Sequence, residues 1–100
     1  MNVIDVASRE QFVSLLADNK KVIVDFAARS WCVPCRALRN HFELAASKSD
    51  VVFVEVDIED NPWAQEEYSI MSVPTVKLFE HGEPVRDITA RTAIGILKEL

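Results

Sequence analysis

The chain has 100 residues, 49% of them hydrophobic and 27% charged, with 16 acidic against 11 basic side chains, a formal net charge of −5 and two cysteines. That length supports one domain, expected to span residues 1–100, and a charge content of this size with only two glycines excludes a disordered or low-complexity chain. The acidic balance argues against a nucleic-acid backbone as the main partner, and two cysteines are too few for a disulfide-stapled secreted domain, a four-thiolate zinc site or an iron–sulfur cluster.

The opening MNVIDVASREQF turns polar too soon for a secretory leader, and runs such as Val51–Val54 fall far short of the roughly 20 residues that span a bilayer. The expected setting is the cytoplasm, with no membrane or nucleic-acid partner. Val3 to Val6 reads as a short strand. Ser8 and Gln11 form a capping box for a helix carrying Phe12, Leu15 and Leu16, closed by Asn19 and two lysines. Val22 to Phe26 is almost continuously apolar and β-branched, the pattern of a central strand covered on both faces.

Cys35, Leu38, Phe42, Ala45 and Ala46 then form one stripe of an amphipathic helix. Val51 to Ile58 is a further strand. Asn61-Pro62 predicts a capped start for a short helix reaching about Tyr68. Val76 to Phe79 and Val85 to Ile88 flank His81-Gly82-Glu83 as a hairpin, and Thr92 caps a last helix bearing Ile94, Leu97 and Leu100. The order βαβαβαββα predicts an α/β fold, a mixed central sheet with helices on both faces.

The chemistry centres on Trp31-Cys32-Val33-Pro34-Cys35, between the central strand and the amphipathic helix. Residues i and i+3 at a helix start lie about 5 Å apart at Cα, within the range of a disulfide. Free amides and the helix dipole stabilise a thiolate at Cys32, while Cys35 lies one turn inward and is expected to be more buried. Pro34 fits the first turn, where amides have no intrahelical acceptor. An exposed nucleophile and a sheltered resolving thiol suffice for a dithiol–disulfide cycle through a mixed disulfide, with no cofactor in the domain. Zinc is the structural alternative. It needs two further ligands, whereas His41 lies off the helix stripe and His81 in a turn.

Asp25 interrupts the apolar central strand, and a carboxylate there is costly unless paired or kept neutral. It reads as a buried acid able to take the proton of Cys35; its bland alternative is a surface aspartate on an edge strand. Pro74, in Ser72-Val73-Pro74-Thr75, stands where a cis peptide bond can occur, although trans is the commoner form.

Together these residues resemble the thioredoxin family. VIVDFAARSWCVPC is similar to its central strand and active-site loop, and VDIEDNPWAQEEYSIMSVPTVKLFEHGEPV to its third strand, short helix, cis-proline loop and terminal hairpin. The resemblance implies a thioredoxin fold and a protein-disulfide reductase, monomeric and recharged by a thioredoxin reductase or equivalent donor. It assigns Cys32 as nucleophile, Cys35 as resolving thiol, Asp25 as buried acid and Pro74 as the cis proline. Trp31, Val33, Pro34, Val73, Pro74 and Ala90 then form a shallow apolar surface for disulfide-containing clients, with the Val73 backbone pairing an extended segment.

The chain departs from the family pattern in four places. Val33 replaces a glycine, the loop Ala27-Ala28-Arg29-Ser30 is one residue longer, Glu55 stands where a lysine often pairs with the buried acid, and Asn40 replaces a helix-kinking proline. An inward Glu55 would titrate as a coupled pair with Asp25; an outward one would be an ordinary solvated residue. Two other classes compete: a redox protein dedicated to one partner, and a thioredoxin-fold binding module without turnover. Glutaredoxin-like use of glutathione fits less well, because no glycine pair follows the second hairpin strand.

Overall fold

A computed structural model describes residues 1–100. The elements are β1 (Ile4–Asp5), α1 (Arg9–Asp18), β2 (Lys21–Ala27), α2 (Val33–Ser47), β3 (Val52–Asp57), α3 (Pro62–Glu67), β4 (Thr75–Glu80), β5 (Glu83–Ile88) and α4 (Ala93–Lys98). The strands form one sheet in the order β1-β3-β2-β4-β5. β1 and β2 pair parallel with β3, whereas β4 runs antiparallel to β2 and β5 antiparallel to β4. The expected mixed sheet is therefore present, with β2 flanked by neighbours on both edges.

Strand alternation divides the core into two layers. Val22, Val24 and Phe26 of β2 face α1 and α3, where they join Phe12, Leu16 and Ala64. Ile23 faces the other way, with Phe53, into a layer built by Leu38, Phe42, Ala45 and Ala46 of α2 and Ala93 and Ile96 of α4. Phe12 anchors the first layer through ring contacts with Trp63, Tyr68 and Phe79 at centroid distances of 5.5, 5.8 and 5.8 Å. Phe42 and Phe53, 4.9 Å apart, bind α2 to the sheet in the second.

Local signals explain most boundaries. The Ser8 hydroxyl accepts from the Gln11 amide, the Gln11 side chain accepts in return from Ala7, and Asn19 closes α1. Thr92 caps α4 through the Gly95 amide. His81 and Gly82 both have positive φ, 52° and 82°, as a two-residue hairpin of this twist requires. α2 runs unbroken through Asn40.

Two sequence expectations need correction. Asn61 does not cap α3; its amide donates instead to the carbonyls of Val6 and Asp57, and its oxygen accepts from the Trp63 indole. These contacts turn the Asn61 oxygen toward the Trp63 indole and away from the α3 amides it would cap. In α4 the buried face is Ala93 and Ile96, with Leu97 and Leu100 half-buried, and Ile94 is exposed. The stripe is rotated because Ala93, at the first helical position, packs inward.

Phe12 is fully buried and touches three other rings, so Phe12→Ala should cost about 3–5 kcal/mol in a urea titration. The thiol chemistry of the fraction that stays folded should be unchanged, since Phe12 and the cysteines belong to different core clusters.

Candidate active site

β2 ends at Ala27, and the chain turns through Ala28 to Trp31 before α2 begins. The amides of Trp31 and Cys32 both donate to the Ala28 carbonyl, which tightens this turn. Cys32 occupies the N-cap of α2 in extended conformation, and the Cys35 amide donates to its Sγ at 3.2 Å. The capping position usually held by a hydroxyl or carboxylate oxygen is thus filled by sulfur. After reduction the same amide and the positive end of α2 would stabilise a thiolate there.

Cys32 and Cys35 are joined as a disulfide with their Cα atoms 5.2 Å apart. Cys35 is fully buried, and Cys32, expected to be exposed, is buried as well at 5% exposure, because Val73 and Ile58 pack over the pair. Both pack with Ala27 and Ala28, and Val73 and Ile58 close over the cluster. The Val73–Pro74 peptide bond is cis, and the Val73 carbonyl oxygen lies 3.7 Å from Cys32 Sγ.

Around the disulfide the surface is apolar. Trp31 and Val33 are exposed by 60% and 66%, and Met71 by 95%. Trp31 and Met71 line a pocket of about 90 Å³ with Ile58, Ile70 and Val73. Across the cysteines a wider cleft of about 340 Å³ is lined by Pro34, Ala37, Leu38, His41, Pro74 and Arg91. Arg91 holds this side together, donating to the carbonyls of Ile88, Ala90 and Pro74. Ala90 is half-buried at the base of α4, where a side chain on Gly95 would come within 2.9 Å of it. The largest cavity, about 400 Å³ beside Lys20 and His81, lies at the opposite end of β2 from the cysteines.

Asp25 is fully buried, and neither of its carboxyl oxygens has a hydrogen-bond partner in the protein. It lies two residues before Ala27 on the same side of β2, about 7 Å along the strand from a residue that packs with both cysteines. Burial, reinforced by the charge of Glu55, pushes its pKa up to about 7, against the pull of Arg91, Arg39 and Arg29. Glu55 points inward, which resolves the two orientations open in the sequence. It is Asp25's register partner on β3 and only 2% exposed. Its Oε2 pairs with Arg29 Nε at 2.7 Å and Arg39 Nη1 at 3.4 Å, and its Oε1 has no partner. Burial raises the Glu55 pKa, and the two arginines oppose that rise.

The sequence-predicted residues Cys32, Cys35, Trp31, Val33, Pro34, Val73 and Pro74 come together at one end of the sheet, with Ala90 at its margin. Sequence reasoning missed Met71, Arg91, Arg29 and Arg39. Arg29 carried a signal, because it sits in the extra-long loop, and Met71 directly precedes the Ser-Val-Pro segment. Arg39 and Arg91 carried none. No group of three or more His, Cys, Asp or Glu residues is arranged to hold a metal ion, and no helix is long and apolar enough to cross a membrane.

The thioredoxin family model matches residues 3–99. The chain is 42% identical over 79 residues to the thioredoxin of Mycoplasmoides gallisepticum, covering 78% of each chain. It is 34% identical over 100 residues to the bifunctional thioredoxin reductase/thioredoxin of Mycobacterium leprae, where it spans 97% of its own length but 22% of that protein's. Among solved structures, oxidised thioredoxin from Plasmodium falciparum superposes with a TM-score of 0.86 at 29% identity, over 98% of this chain and 94% of that one. A disulfide at a helix N-cap, at the end of a sheet shared with those structures, leaves one assignment: the chain belongs to the thioredoxin family of thiol–disulfide oxidoreductases.

Proposed function

We propose that residues 1–100 act as one thioredoxin domain that reduces disulfides in client proteins, as a monomer in the cytoplasm. The observation that carries this reading is the Cys32–Cys35 pair at the α2 N-cap, on the same sheet side as a buried and unpartnered carboxyl group. In the reduced protein Cys32 attacks a client disulfide, forming a Cys32–client bond and releasing one client thiol. The Cys35 thiol then gives its proton to Asp25 and attacks Cys32 Sγ. The intramolecular disulfide forms, the Cys32–client bond breaks, and the second client sulfur leaves as a thiolate that takes up a proton. Two electrons pass to the client. A thioredoxin reductase or equivalent dithiol donor returns them, a partnership supported by the relative that carries both names in one chain.

Client segments would lie across Trp31, Val33, Pro34, Val73, Pro74 and Ala90, with the Val73 backbone free to pair with an extended strand. A narrower client range is the second reading. Two observations favour it: Val33 projects its branched side chain beside Cys32, and Arg91 stands in the cleft over Pro74. Equal turnover of insulin and of unrelated disulfide proteins in an NADPH–thioredoxin reductase assay would discard that reading.

Insulin-disulfide reduction with dithiothreitol tests the cycle directly. Cys32→Ser should abolish the acceleration. Cys35→Ser should instead accumulate a client adduct that mass spectrometry detects and dithiothreitol removes. A wild type no faster than Cys32→Ser would refute the reductase reading.

Asp25→Asn should slow reduction at least about ten-fold at neutral pH. It should also change the pH dependence of stability. The folded protein keeps the Asp25 proton up to about pH 7, whereas the unfolded chain releases it near 3.8. Wild-type stability therefore falls as pH rises between those values, because the folded state binds more protons than the unfolded one. Denaturant titrations from pH 4 to pH 8 should show the variant gaining on wild type by up to about 4 kcal/mol across this window, and no further change above it.

A further inference from the structure

Asp5, Glu55 and Asp25 are register partners across three adjacent strands, Asp5 with Glu55 and Glu55 with Asp25. Partners in parallel strands share a face, so the carboxyl groups form a row on the α2 side of the sheet, one strand spacing of about 4.8 Å per step. The row runs from the surface inward. The Asp5 side chain is 56% exposed, that of Glu55 1%, and Asp25 is fully buried. Cations cover only its outer part. Arg39 bridges Asp5 at 2.6 Å and Glu55 at 3.4 Å, and Arg29 bridges Glu55 at 2.7 Å and Asp5 at 3.8 Å. At the inner end, both Asp25 oxygens and Glu55 Oε1 are buried without a partner.

Three unpartnered carboxyl oxygens on neighbouring buried side chains are costly if both groups ionise, and one shared proton relieves that cost. We propose that Glu55 is the positioning residue for the Asp25 proton: the two carboxyl groups take up one proton as a coupled pair, and it exchanges with solvent on the Glu55 side, at the sheet edge lined by Arg29, Arg39 and Asp5. The inference rests on Asp25 acting as the base for Cys35. Arg29 and Arg39 bias Glu55 toward its ionised form, which leaves the shared proton on Asp25 at rest. For Asp25 to act as base its resting proton first leaves on the Glu55 side to solvent; ionised Asp25 then takes the Cys35 proton, while the departing client thiolate is protonated from solvent. No net proton is gained or lost, and the outward path does not cross the client-covered disulfide.

The other charges acting on Asp25 are Arg39 of α2, Arg29 of the β2–α2 turn and Arg91 of the segment before α4, while its β4 register partner is the uncharged Val76. Arginine keeps its charge in proteins, and the disulfide-bonded cysteines do not titrate, so in the oxidised protein Glu55 is the titratable group left to couple to Asp25.

Carboxyl-carbon NMR titration of Asp25 and Glu55 in the oxidised protein, where neither cysteine titrates, tests the pair without relying on activity. In wild type both residues should report the same two steps. Glu55→Gln should move the Asp25 midpoint down by about one pH unit or more, and Arg29→Gln should move the upper step of the pair upward. These opposite shifts are the signature, since a merely structural role would not separate the two variants in sign. Asp25→Asn, read at Glu55, supplies the reciprocal measurement if Glu55→Gln folds poorly; Glu55 should then titrate in one step at lower pH. Identical Asp25 curves in wild type and Glu55→Gln, or a Glu55 curve unaffected by Asp25→Asn, would overturn the proposal. The acid limb of the pH–rate profile for insulin reduction should follow the Asp25 midpoint in each variant. Coupled titrations with an unmoved rate profile would instead overturn the role of Asp25 as base.

Discussion

A carboxyl group in the middle of a protein sheet is expensive to ionise, and Asp25 sits in the central strand with no hydrogen-bond partner. Much of the surrounding charge makes sense as a response to that one group. Arg29, Arg39 and Arg91 each lower its pKa from a different part of the fold, yet burial and Glu55 outweigh them and hold it near neutrality. An acid poised there can both accept and release a proton under working conditions, which the proposed reaction requires of it. A fully salt-bridged aspartate would be too weak a base, and a fully isolated one would never ionise.

The sulfur pair answers a different constraint. A helix N-terminus has free amides, and Cys32 takes the place where a capping oxygen usually sits. The arrangement makes one sulfur the acceptor of a backbone hydrogen bond and buries the other one turn later. Their unequal surroundings follow from chain geometry alone, before any side-chain partner is considered. The proposed client face would need little more than exposed apolar side chains around Cys32 and an available strand-like backbone at Val73. Trp31, Val33 and Met71 supply the first of these.

Much of this was legible in the residues. The β2 run, the α2 stripe and the hairpin around Gly82 are local periodicities and turn chemistry, and they appear where expected. The capping residues Ser8 and Thr92 act through neighbours three positions away, so their partners could be named in advance. Asn61 shows the limit of that reasoning, because its amide found a carbonyl at Val6, 55 positions away, that no local pattern reveals. Ile94 shows another: a short helix with apolar residues on several sides has no unique inward face until α2 is packed against it. Glu55 is the most instructive case. A glutamate in an apolar strand reads equally well inward or outward, and its burial depends on Arg29 and Arg39 arriving from elsewhere in the chain.

The two cysteines, their spacing at a helix start, the acid in the apolar strand and the order of strands and helices were determined by the sequence alone, because each is a relation among near neighbours or a repeat along one element. The cis state of Pro74, the inward turn of Glu55, the row it forms with Asp5 and Asp25, and the arginines that cover it were decided only by the tertiary structure. Register between strands, and the arginine pairs that cover the row, between residues 16 to 34 positions apart in sequence, are set when the sheet closes and α2 packs down, and no local preference specifies them.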